Sequence, residues 1–288
     1  MKILSLSVQS LDGNLNIESV TFKSPTLLVG LSGSGKSQIL MCIYQLFHLI
    51  LGEKHIDLAD GNYQVSFSIH EKTYHYQTQI RNKTSIESKL WCNEIEQASE
   101  HLNIRTLMAP IRFIDPLHTI RRTDLLLKRL SRLSEKTQNE IKTLYQFIFP
   151  NIEDIRFQSN QLLFKEKEMN WFSYKQLSDG MLKTFIYVYE IVLAEKGSVL
   201  LIDEIENGLG LNCMNVLLEE LIQRDDLQFI ISSHHPYIIN NIPTPYWQII
   251  SRKQDVIMSR SSEDFGIGQT RYDAFFELMN GLYYEEDF

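Results

Sequence analysis

The chain has 288 residues, of which 43% are hydrophobic and 22% are charged. Lysine and arginine total 28 against 36 aspartate and glutamate residues, so the formal net charge is −8. This composition is typical of a globular protein and argues against a disordered chain or one that coats nucleic acid by bulk positive charge. The three cysteines, Cys42, Cys92 and Cys213, have no CxxC spacing and favour neither a disulfide framework nor a zinc site.

The first ten residues alternate apolar and polar side chains, a pattern that predicts a strand and not a signal peptide. The most apolar helical stretch, residues 39–51, is interrupted by Gln45 and His48 and is shorter than a bilayer requires. We therefore expect no membrane insertion and a reducing, cytoplasmic location.

The first third of the chain predicts strands, a glycine-rich loop and a buried helix. Alternation predicts an antiparallel hairpin after that helix, whereas residues 82–105 are weakly patterned and are expected to be helical or mobile. The predicted strands are 2–8, 15–22, 26–30, 63–69 and 73–80, and the predicted helix is 37–51.

The rest of the chain moves from a helical region to regular α/β alternation, which predicts a parallel sheet covered on both faces. Two helical patterns in 123–149 are separated by a break near Ser134, and 155–172 predicts a hairpin. The remaining predicted elements are strand 111–114, helix 180–195, strand 199–203, helix 211–224, strand 228–232, edge strands 246–251 and 256–260, and helix 274–282.

The strongest motif is GLSGSGKS at residues 30–37, which matches GxxxxGK[ST] between a predicted strand and a predicted helix. Such a loop turns its backbone N–H groups toward a phosphate, while Lys36 bridges the β- and γ-phosphates and the Ser37 hydroxyl ligates Mg²⁺. The predicted nucleotide-binding residues are Gly30, Ser32, Gly33, Ser34, Gly35, Lys36, Ser37 and Gln38.

A second motif is the apolar strand 199–202, which ends in Asp203 and Glu204. A buried parallel strand delivers acidic groups to the phosphate site at its C-terminal end. We expect Asp203 to hold the magnesium together with Ser37, directly or through water. Glu204 is the predicted general base that polarises the attacking water.

Two further segments follow in a fixed order. Leu177-Ser178-Asp179-Gly180-Met181 precedes a helix, and Ser232-Ser233-His234-His235-Pro236 ends the strand after the acidic one. With the phosphate loop and the acidic strand, they resemble the ATP-binding-cassette ATPase superfamily, whose ordered set is phosphate loop, LSGGQ-type signature, acidic strand with glutamate, and switch histidine. The resemblance covers residues 1–51 and 172–259.

Details of these motifs resemble the soluble branch that includes the chromosome-maintenance, recombination-repair and overcoming-lysogenisation-defect ATPases. The signature reads LSDGMLK, and the run from Asp203 to Leu209 is similar to the DEPENGL run of that branch. Ile205 replaces the usual Pro, and Gly210-Leu211 stands where the branch often has His-Pro. Lys183 replaces a frequent Arg, which keeps the charge without the bidentate fork.

The resemblance implies an α/β P-loop fold of ATP-binding-cassette type, with a mixed sheet, antiparallel N-terminal strands and an inserted, mainly helical lobe. The implied division is 1–62 and 172–288 for the nucleotide-binding domain and 63–171 for the hairpin and lobe. It also implies a homodimer that binds ATP and Mg²⁺. The residues that contact ATP across the dimer are then Ser178, Asp179, Gly180 and Lys183 of the signature. His234, with His235 as the competing candidate, senses the γ-phosphate.

Four basic residues, Arg121, Lys128, Arg132 and Lys136, are predicted to share one face of an amphipathic helix. That face either contacts the phosphate backbone of a nucleic acid or is a solvated surface paired with local carboxylates.

The expected function is a Mg²⁺-dependent ATPase that dimerises on ATP and uses hydrolysis as a switch for a protein effector. A nuclease or other nucleic-acid-processing partner, in antiphage defence or repair, fits the resemblance. The alternative is the nucleotide-binding subunit of a membrane transporter, but residues 1–21 contain no aromatic side chain to stack on adenine. A small-molecule kinase would leave the signature and His234 unexplained.

Overall fold

The computed structural model describes residues 1–11, 13, 15–53, 57–96, 108–116, 119, 123–158, 161–267 and 271–285. Among these residues the strands are β1 (Lys2–Ser10), β2 (Asn16–Thr21), β3 (Thr26–Val29), β4 (Gly61–Ile69), β5 (Lys72–Arg81), β6 (Thr84–Cys92), β7 (Ile95–Glu96), β8 (Ile111–Ile114), β9 (Ile152–Gln158), β10 (Gln161–Glu166), β11 (Trp171–Ser173), β12 (Val199–Ile202), β13 (Gln228–Ser232), β14 (Trp247–Lys253) and β15 (Val256–Ser261). The helices are α1 (Lys36–Ile50), α2 (Thr123–Leu130), α3 (Glu135–Ile148), α4 (Asp179–Val192), α5 (Leu211–Gln223), α6 (Pro236–Asn241) and α7 (Arg271–Glu285).

A large mixed sheet takes up most of the described strands, in the order β7-β6-β5-β4-β1-β2-β15-β14-β3-β13-β12-β8. The neighbours β14, β3, β13 and β12 are parallel. The strands β2, β1, β4, β5 and β6 pair antiparallel along the other half. The predicted α/β fold with a mixed sheet and antiparallel N-terminal strands is confirmed.

The parallel centre of the sheet follows from unbroken apolar runs. Every residue of β3, β12 and β13 is buried, as expected for strands covered on both faces. Helix α1 packs on this centre, with Ile39 and Leu46 in one core cluster with Leu201 and Ile230. Helix α1 therefore covers the strands β12 and β13 in the parallel centre of the sheet.

The chain forms two compact units, and this sheet with α1, α6 and α7 belongs to the first, residues 1–113, 195–204 and 225–288. The second unit, residues 114–194 and 205–224, contains α2 to α5 and an antiparallel sheet in the order β11-β10-β9. Its core surrounds Tyr145, whose ring centroid is 5.6 Å from that of Phe164 and 5.5 Å from that of Phe185. Burial raises the pKa of Tyr145, and its hydroxyl donates to the Met181 carbonyl over 3.1 Å.

Two secondary-structure predictions are wrong. Residues 82–96 of the segment expected to be helical or mobile contain β6 and β7, and its residues 97–105 lie outside the described part. Most side chains of β6 are exposed, which removes the alternation that identifies a strand. The strands β14 and β15 lie inside the sheet between β3 and β2, and not at an edge. Pairing on both sides buries the first four residues of β14.

The boundaries of the compact units also differ from the division 1–62, 63–171 and 172–288. The hairpin β4–β5 continues the large sheet through the pairing of β4 with β1, although the predicted division groups it with the lobe in residues 63–171. The second unit also includes residues 205–224, which follow the acidic strand. In the described part of the chain, no helix combines the length and apolar character that a membrane span requires.

Candidate functional site

The glycine-rich loop, residues 30–35, connects the end of β3 to the start of α1. Gly30 has φ +155°, and a Cβ atom there would collide with the Ile250 carbonyl oxygen. Gly35 has φ +104°, and a Cβ atom there would collide with the Ile257 side chain. Both positions therefore require glycine for space as well as for backbone conformation. The loop that the motif predicts is present between the predicted strand and helix.

Lys36 is enclosed by this loop. Only 7% of the residue is exposed, and its Nζ donates to the carbonyl oxygens of Gly30 and Leu31, each over 2.9 Å. Nζ also lies 3.5 Å from the Ser34 hydroxyl. The loop stands at the N-terminus of α1, where Gly35 supplies no side-chain cap, and the positive end of the helix dipole lies there. The loop thus holds a buried ammonium group beside a helix N-terminus, which is an anion-binding arrangement.

The acidic pair follows β12 at the same edge of the sheet. Because β3, β13 and β12 are parallel neighbours in that order, the loop after β3 and the residues that end β13 and β12 share one edge. Asp203 and Glu204 therefore lie at the C-terminal edge that carries the glycine-rich loop, as predicted. Glu204 has φ +45°, a conformation that residues with a Cβ atom rarely adopt.

Ser232 joins the acidic pair to β13. Its hydroxyl donates to Oδ1 of Asp203 and accepts the backbone N–H of Glu204 over 2.8 Å. Ser232 has no exposed surface. The sequence motifs give this residue no separate role, although a hydroxyl that closes the apolar strand QFIIS is a usable signal.

The histidine pair after β13 divides into two environments. Nδ1 of His234 lies 3.9 Å from Oε1 of Glu204, and 59% of the His234 side chain is exposed. His235 instead caps α6, because its Nδ1 accepts the N–H of Tyr237 over 3.1 Å. The structure therefore brings Asp203, Glu204 and His234 together with the glycine-rich loop in the first unit.

The signature residues lie in the second unit, at the start of α4. Ser178 is the N-cap, and its hydroxyl accepts the N–H of Met181 over 3.3 Å. Ser178 and Asp179 are exposed. Nζ of Lys183 donates to the carbonyl oxygen of Asn207 over 3.2 Å, so the signature helix is tied to the segment that follows the acidic strand.

A family model described as "AAA domain, putative AbiEii toxin, Type IV TA system" matches residues 26–240. The chain belongs to this family. It is a P-loop ATPase, and the family implies that it binds ATP.

Two solved structures share the fold of this AAA-family ATPase. The SMC head domain from Thermotoga maritima has a TM-score of 0.59 and 16% sequence identity, over 91% of this chain and 99% of that chain. An SmcHead bound to the C-winged helix domain of ScpA has a TM-score of 0.66 and 17% identity, over 90% of this chain and 98% of that chain. No curated protein matches the sequence.

The prediction that four basic residues of this ATPase share one face of a single helix is wrong. Helix α2 ends at Leu130, Arg132 lies in the turn that follows, and Lys136 belongs to α3. Arg121 lies outside the described residues. The interruption is caused by Ser134, the N-cap of α3, whose hydroxyl accepts the N–H of Thr137 over 3.2 Å. Lys128, Arg132 and Lys136 are exposed but do not form one helical face.

Proposed function

We propose that this ATPase forms a head-to-tail homodimer on binding ATP and Mg²⁺, and that hydrolysis reopens the dimer to switch a protein effector. The observation that carries the proposal is that two polar sets belong to different compact units. The glycine-rich loop, Asp203, Glu204 and His234 share one sheet edge in the first unit. The signature, in the second unit, begins with an exposed Ser178.

In the proposed complex the phosphates of ATP occupy the glycine-rich loop. The backbone N–H groups of the loop and of the start of α1 donate to the phosphate oxygens, with Gly30, Ser32, Gly33, Ser34, Gly35 and Gln38 as the contacting positions. Lys36 exchanges its bonds to the Gly30 and Leu31 carbonyls for bonds to the β- and γ-phosphates. The ammonium group stays satisfied in both states, which makes the exchange favourable inside a buried loop.

The donor set supports Mg²⁺ as the cation. Ser37 and Asp203 offer a hydroxyl and a carboxylate, and Mg²⁺ prefers oxygen ligands and is held by one or two carboxylates together with substrate phosphates. The described residues contain no cluster of three or more His, Cys, Asp or Glu side chains that would form an all-protein site. When bound, the cation supplies charge that stabilises the oxygens of the transferred phosphoryl group.

We assign the hydrolytic step to Glu204, which orients and deprotonates the attacking water. His234 contacts the γ-phosphate, a role that the geometry favours over His235 because the His235 ring already caps α6. Nδ1 of His234 lies 3.9 Å from Oε1 of Glu204. At this distance the histidine can contact the same phosphate that is attacked by the water Glu204 activates.

The signature acts from the partner subunit in this proposal. Ser178, Asp179, Gly180 and Lys183 would approach the γ-phosphate of ATP bound to the other copy. Exposure of Ser178 and Asp179 leaves the N-terminus of α4 accessible to an anion from outside the subunit. Loss of the shared γ-phosphate removes the contacts that distinguish the closed state, so the dimer reopens after hydrolysis.

An effector protein completes the proposal. The SmcHead that shares this fold was solved bound to the C-winged helix domain of ScpA. That complex supports a partner protein for this chain as well, and we propose that the ATP cycle controls its activity. A nuclease or another nucleic-acid-processing enzyme, in antiphage defence or repair, is the class that we propose.

The test is the dependence of ATP hydrolysis on protein concentration and on Mg²⁺. A composite site predicts that activity per subunit rises with concentration through the range in which light scattering detects ATP-dependent dimers. EDTA should abolish hydrolysis. Activity per subunit that is constant while the protein remains monomeric would refute the shared site.

A further inference from the structure

Ser232 occupies a position that the proposed ATPase cycle does not yet use. It ends β13, between the strand that leads into the glycine-rich loop and the strand that leads into the acidic pair. The residue is fully buried. Its hydroxyl contacts both acidic residues, through the side chain of Asp203 and through the backbone of Glu204.

The hydrogen bonds of this hydroxyl have fixed directions. A serine hydroxyl has one proton to donate and two lone pairs to accept with. The backbone N–H of Glu204 is always a donor, so Ser232 accepts from it, over 2.8 Å. The hydroxyl proton then goes to Oδ1 of Asp203. This bond fixes the rotation of the Asp203 carboxylate and leaves Oδ2 as the oxygen available to a cation.

The bond to Glu204 acts on a strained backbone. Glu204 has φ +45°, a conformation that residues other than glycine, asparagine and aspartate seldom adopt. Such strain persists only where the surroundings hold it, and the N–H of Glu204 is held by a buried side chain. The backbone angle sets the direction in which the Glu204 side chain leaves the strand, toward His234 at 3.9 Å.

We propose that Ser232 is a positioning residue, which orients the Mg²⁺-binding carboxylate of Asp203 and the water-activating carboxylate of Glu204 through one hydroxyl. The proposal rests on the roles that the proposed function gives to these two residues. Ser232 does not contact the nucleotide in this arrangement. Its loss should therefore reduce the rate of hydrolysis and the response to Mg²⁺, while the phosphate loop still binds ATP.

The central experiment compares Ser232→Ala and Ser232→Thr with the control Ser198→Ala. Ser198 precedes β12 and has no exposed surface, and its Oγ has no hydrogen-bond partner among the described residues. The control therefore removes a buried serine hydroxyl without touching the acidic pair. Thermal unfolding of each variant establishes that it is folded before its activity is compared.

Ser232→Ala should lower kcat by about 10- to 100-fold, because it removes one hydrogen bond to a charged group and one that holds a strained backbone. The Mg²⁺ concentration for half-maximal activity should rise. ATP binding measured without hydrolysis, by fluorescence of a nucleotide analogue in EDTA, should change by less than about twofold. Ser232→Thr keeps the hydroxyl and should restore most of kcat, and Ser198→Ala should match the wild type.

Three outcomes would overturn the proposal. One is a folded Ser232→Ala protein with wild-type kcat and Mg²⁺ response, and another is a loss confined to ATP affinity. The third concerns Ser232→Cys, whose side chain is close to serine in size but is only a weak hydrogen-bond donor. A folded Ser232→Thr protein with a kcat as low as that of Ser232→Cys would show that the hydroxyl is not what matters. The Thr and Cys pair also decides the question if Ser232→Ala does not fold. If Asp203→Asn and Glu204→Gln retain full activity, the proposed function itself fails.

Discussion

The sheet edge that carries the glycine-rich loop and the acidic pair, here called the edge, differs from the signature in the hydrogen-bond partners of its polar groups. At the edge, the buried Lys36 donates to the loop carbonyls, and the buried Ser232 bonds to both acidic residues. At the signature, the hydroxyl of the exposed Ser178 accepts the N–H of Met181 at the start of its own helix, and Nζ of Lys183 donates to the Asn207 carbonyl. The first set is preorganised inside one unit, whereas the second presents its surface to solvent.

This difference predicts whether a variant affects its own subunit or the partner subunit. Groups that bond to buried partners such as Lys36 and Ser232 keep their geometry in a single subunit, because each would lose a partner if it moved. An exposed helix N-terminus has no such constraint and gains a strong partner only when an anion arrives. Variants at the edge should therefore act within a subunit, and variants at the signature should act between subunits.

The largest effects are expected at the edge. Lys36→Ala removes the buried ammonium group and should weaken ATP binding by about 100-fold. Glu204→Gln should preserve binding but slow hydrolysis by about 10²- to 10⁴-fold, because the amide cannot accept a proton. Size-exclusion chromatography with light scattering, in ATP and Mg²⁺, should find Glu204→Gln as a trapped dimer and Lys36→Ala as a monomer.

Glu219→Gln is the matched control for this pair, since it neutralises an exposed carboxylate on α5. It should hydrolyse ATP and reopen like the wild type. Equal, ATP-independent elution of the wild type, Lys36→Ala and Glu204→Gln would contradict the mechanism in which ATP closes the dimer.

A smaller effect should separate the two regions directly. Ser178→Arg places a bulky cation at the signature and should inactivate a homodimer, as Lys36→Ala does. In a mixed dimer both lesions fall in the same composite site, so the other site is intact. Random mixing of equal amounts should restore about one quarter of the wild-type activity if the two sites turn over independently.

Recovery is measured as ATP hydrolysis after mixing, with two affinity tags to isolate the heterodimer. A mixture of Lys36→Ala with Glu204→Gln is the control, because its lesions fall in different composite sites and should leave each site damaged. Isolated Ser178→Arg and Lys36→Ala heterodimers without activity would place the whole site within one subunit.

The sequence predicted the edge better than the rest of the molecule, for local reasons. Gly30 is required by its contact with the Ile250 carbonyl, Gly35 by its contact with the Ile257 side chain, and both by a positive φ. The glycines of the motif therefore follow directly from the local structure. The buried runs of β3, β12 and β13 likewise carry their own evidence of a parallel sheet. Residues whose type is determined by local conformation or burial can be predicted from the sequence alone.

Features that depend on strand order were not visible in the sequence. The sequence predicted edge strands at β14 and β15, yet β14 pairs with β3 and β15 pairs with β2. The hydroxyl that closes QFIIS is visible in the sequence, but its contact with the acidic pair follows only from the position of β13 beside β12. The predicted basic helix joined two helical periods across the cap at Ser134, because charge periodicity alone does not register a helix boundary.

A more modest effect is expected where the signature helix meets the segment after the acidic strand. Gly208 has φ +77°, and a Cβ atom there would collide with Nζ of Lys183. Gly208→Ala should lower the free energy of unfolding by about 1–2 kcal/mol through backbone strain. It should also displace Lys183 from the Asn207 carbonyl and reduce ATP-dependent dimerisation several-fold.

Gly266→Ala is the control that separates the effect of backbone strain from the displacement of Lys183. Gly266 has φ +82° with nothing within 4 Å of the added Cβ, so it should lose similar stability without changing dimerisation. Chemical denaturation and light scattering in ATP measure the two properties. If both glycine variants dimerise alike, the contact between Lys183 and the segment after the acidic strand has no role in the interface.

The smallest effect is expected from the exposed cations of the second unit. Lys128 and Arg132 lie on α2 and in the turn after it, and Nζ of Lys136 is 3.8 Å from Glu140. If Lys128 and Arg132 contact a nucleic-acid backbone, reversing both to Glu should lower the slope of log affinity against log salt by about 2. ATP-driven dimerisation should not change, because neither residue belongs to a nucleotide motif.

Fluorescence anisotropy with DNA or RNA measures the slope, and reversal of the exposed Lys72 and Lys253 is the charge control. Wild-type protein without salt-sensitive binding, with or without ATP, would exclude these cations as a nucleic-acid contact and leave the protein effector as the partner.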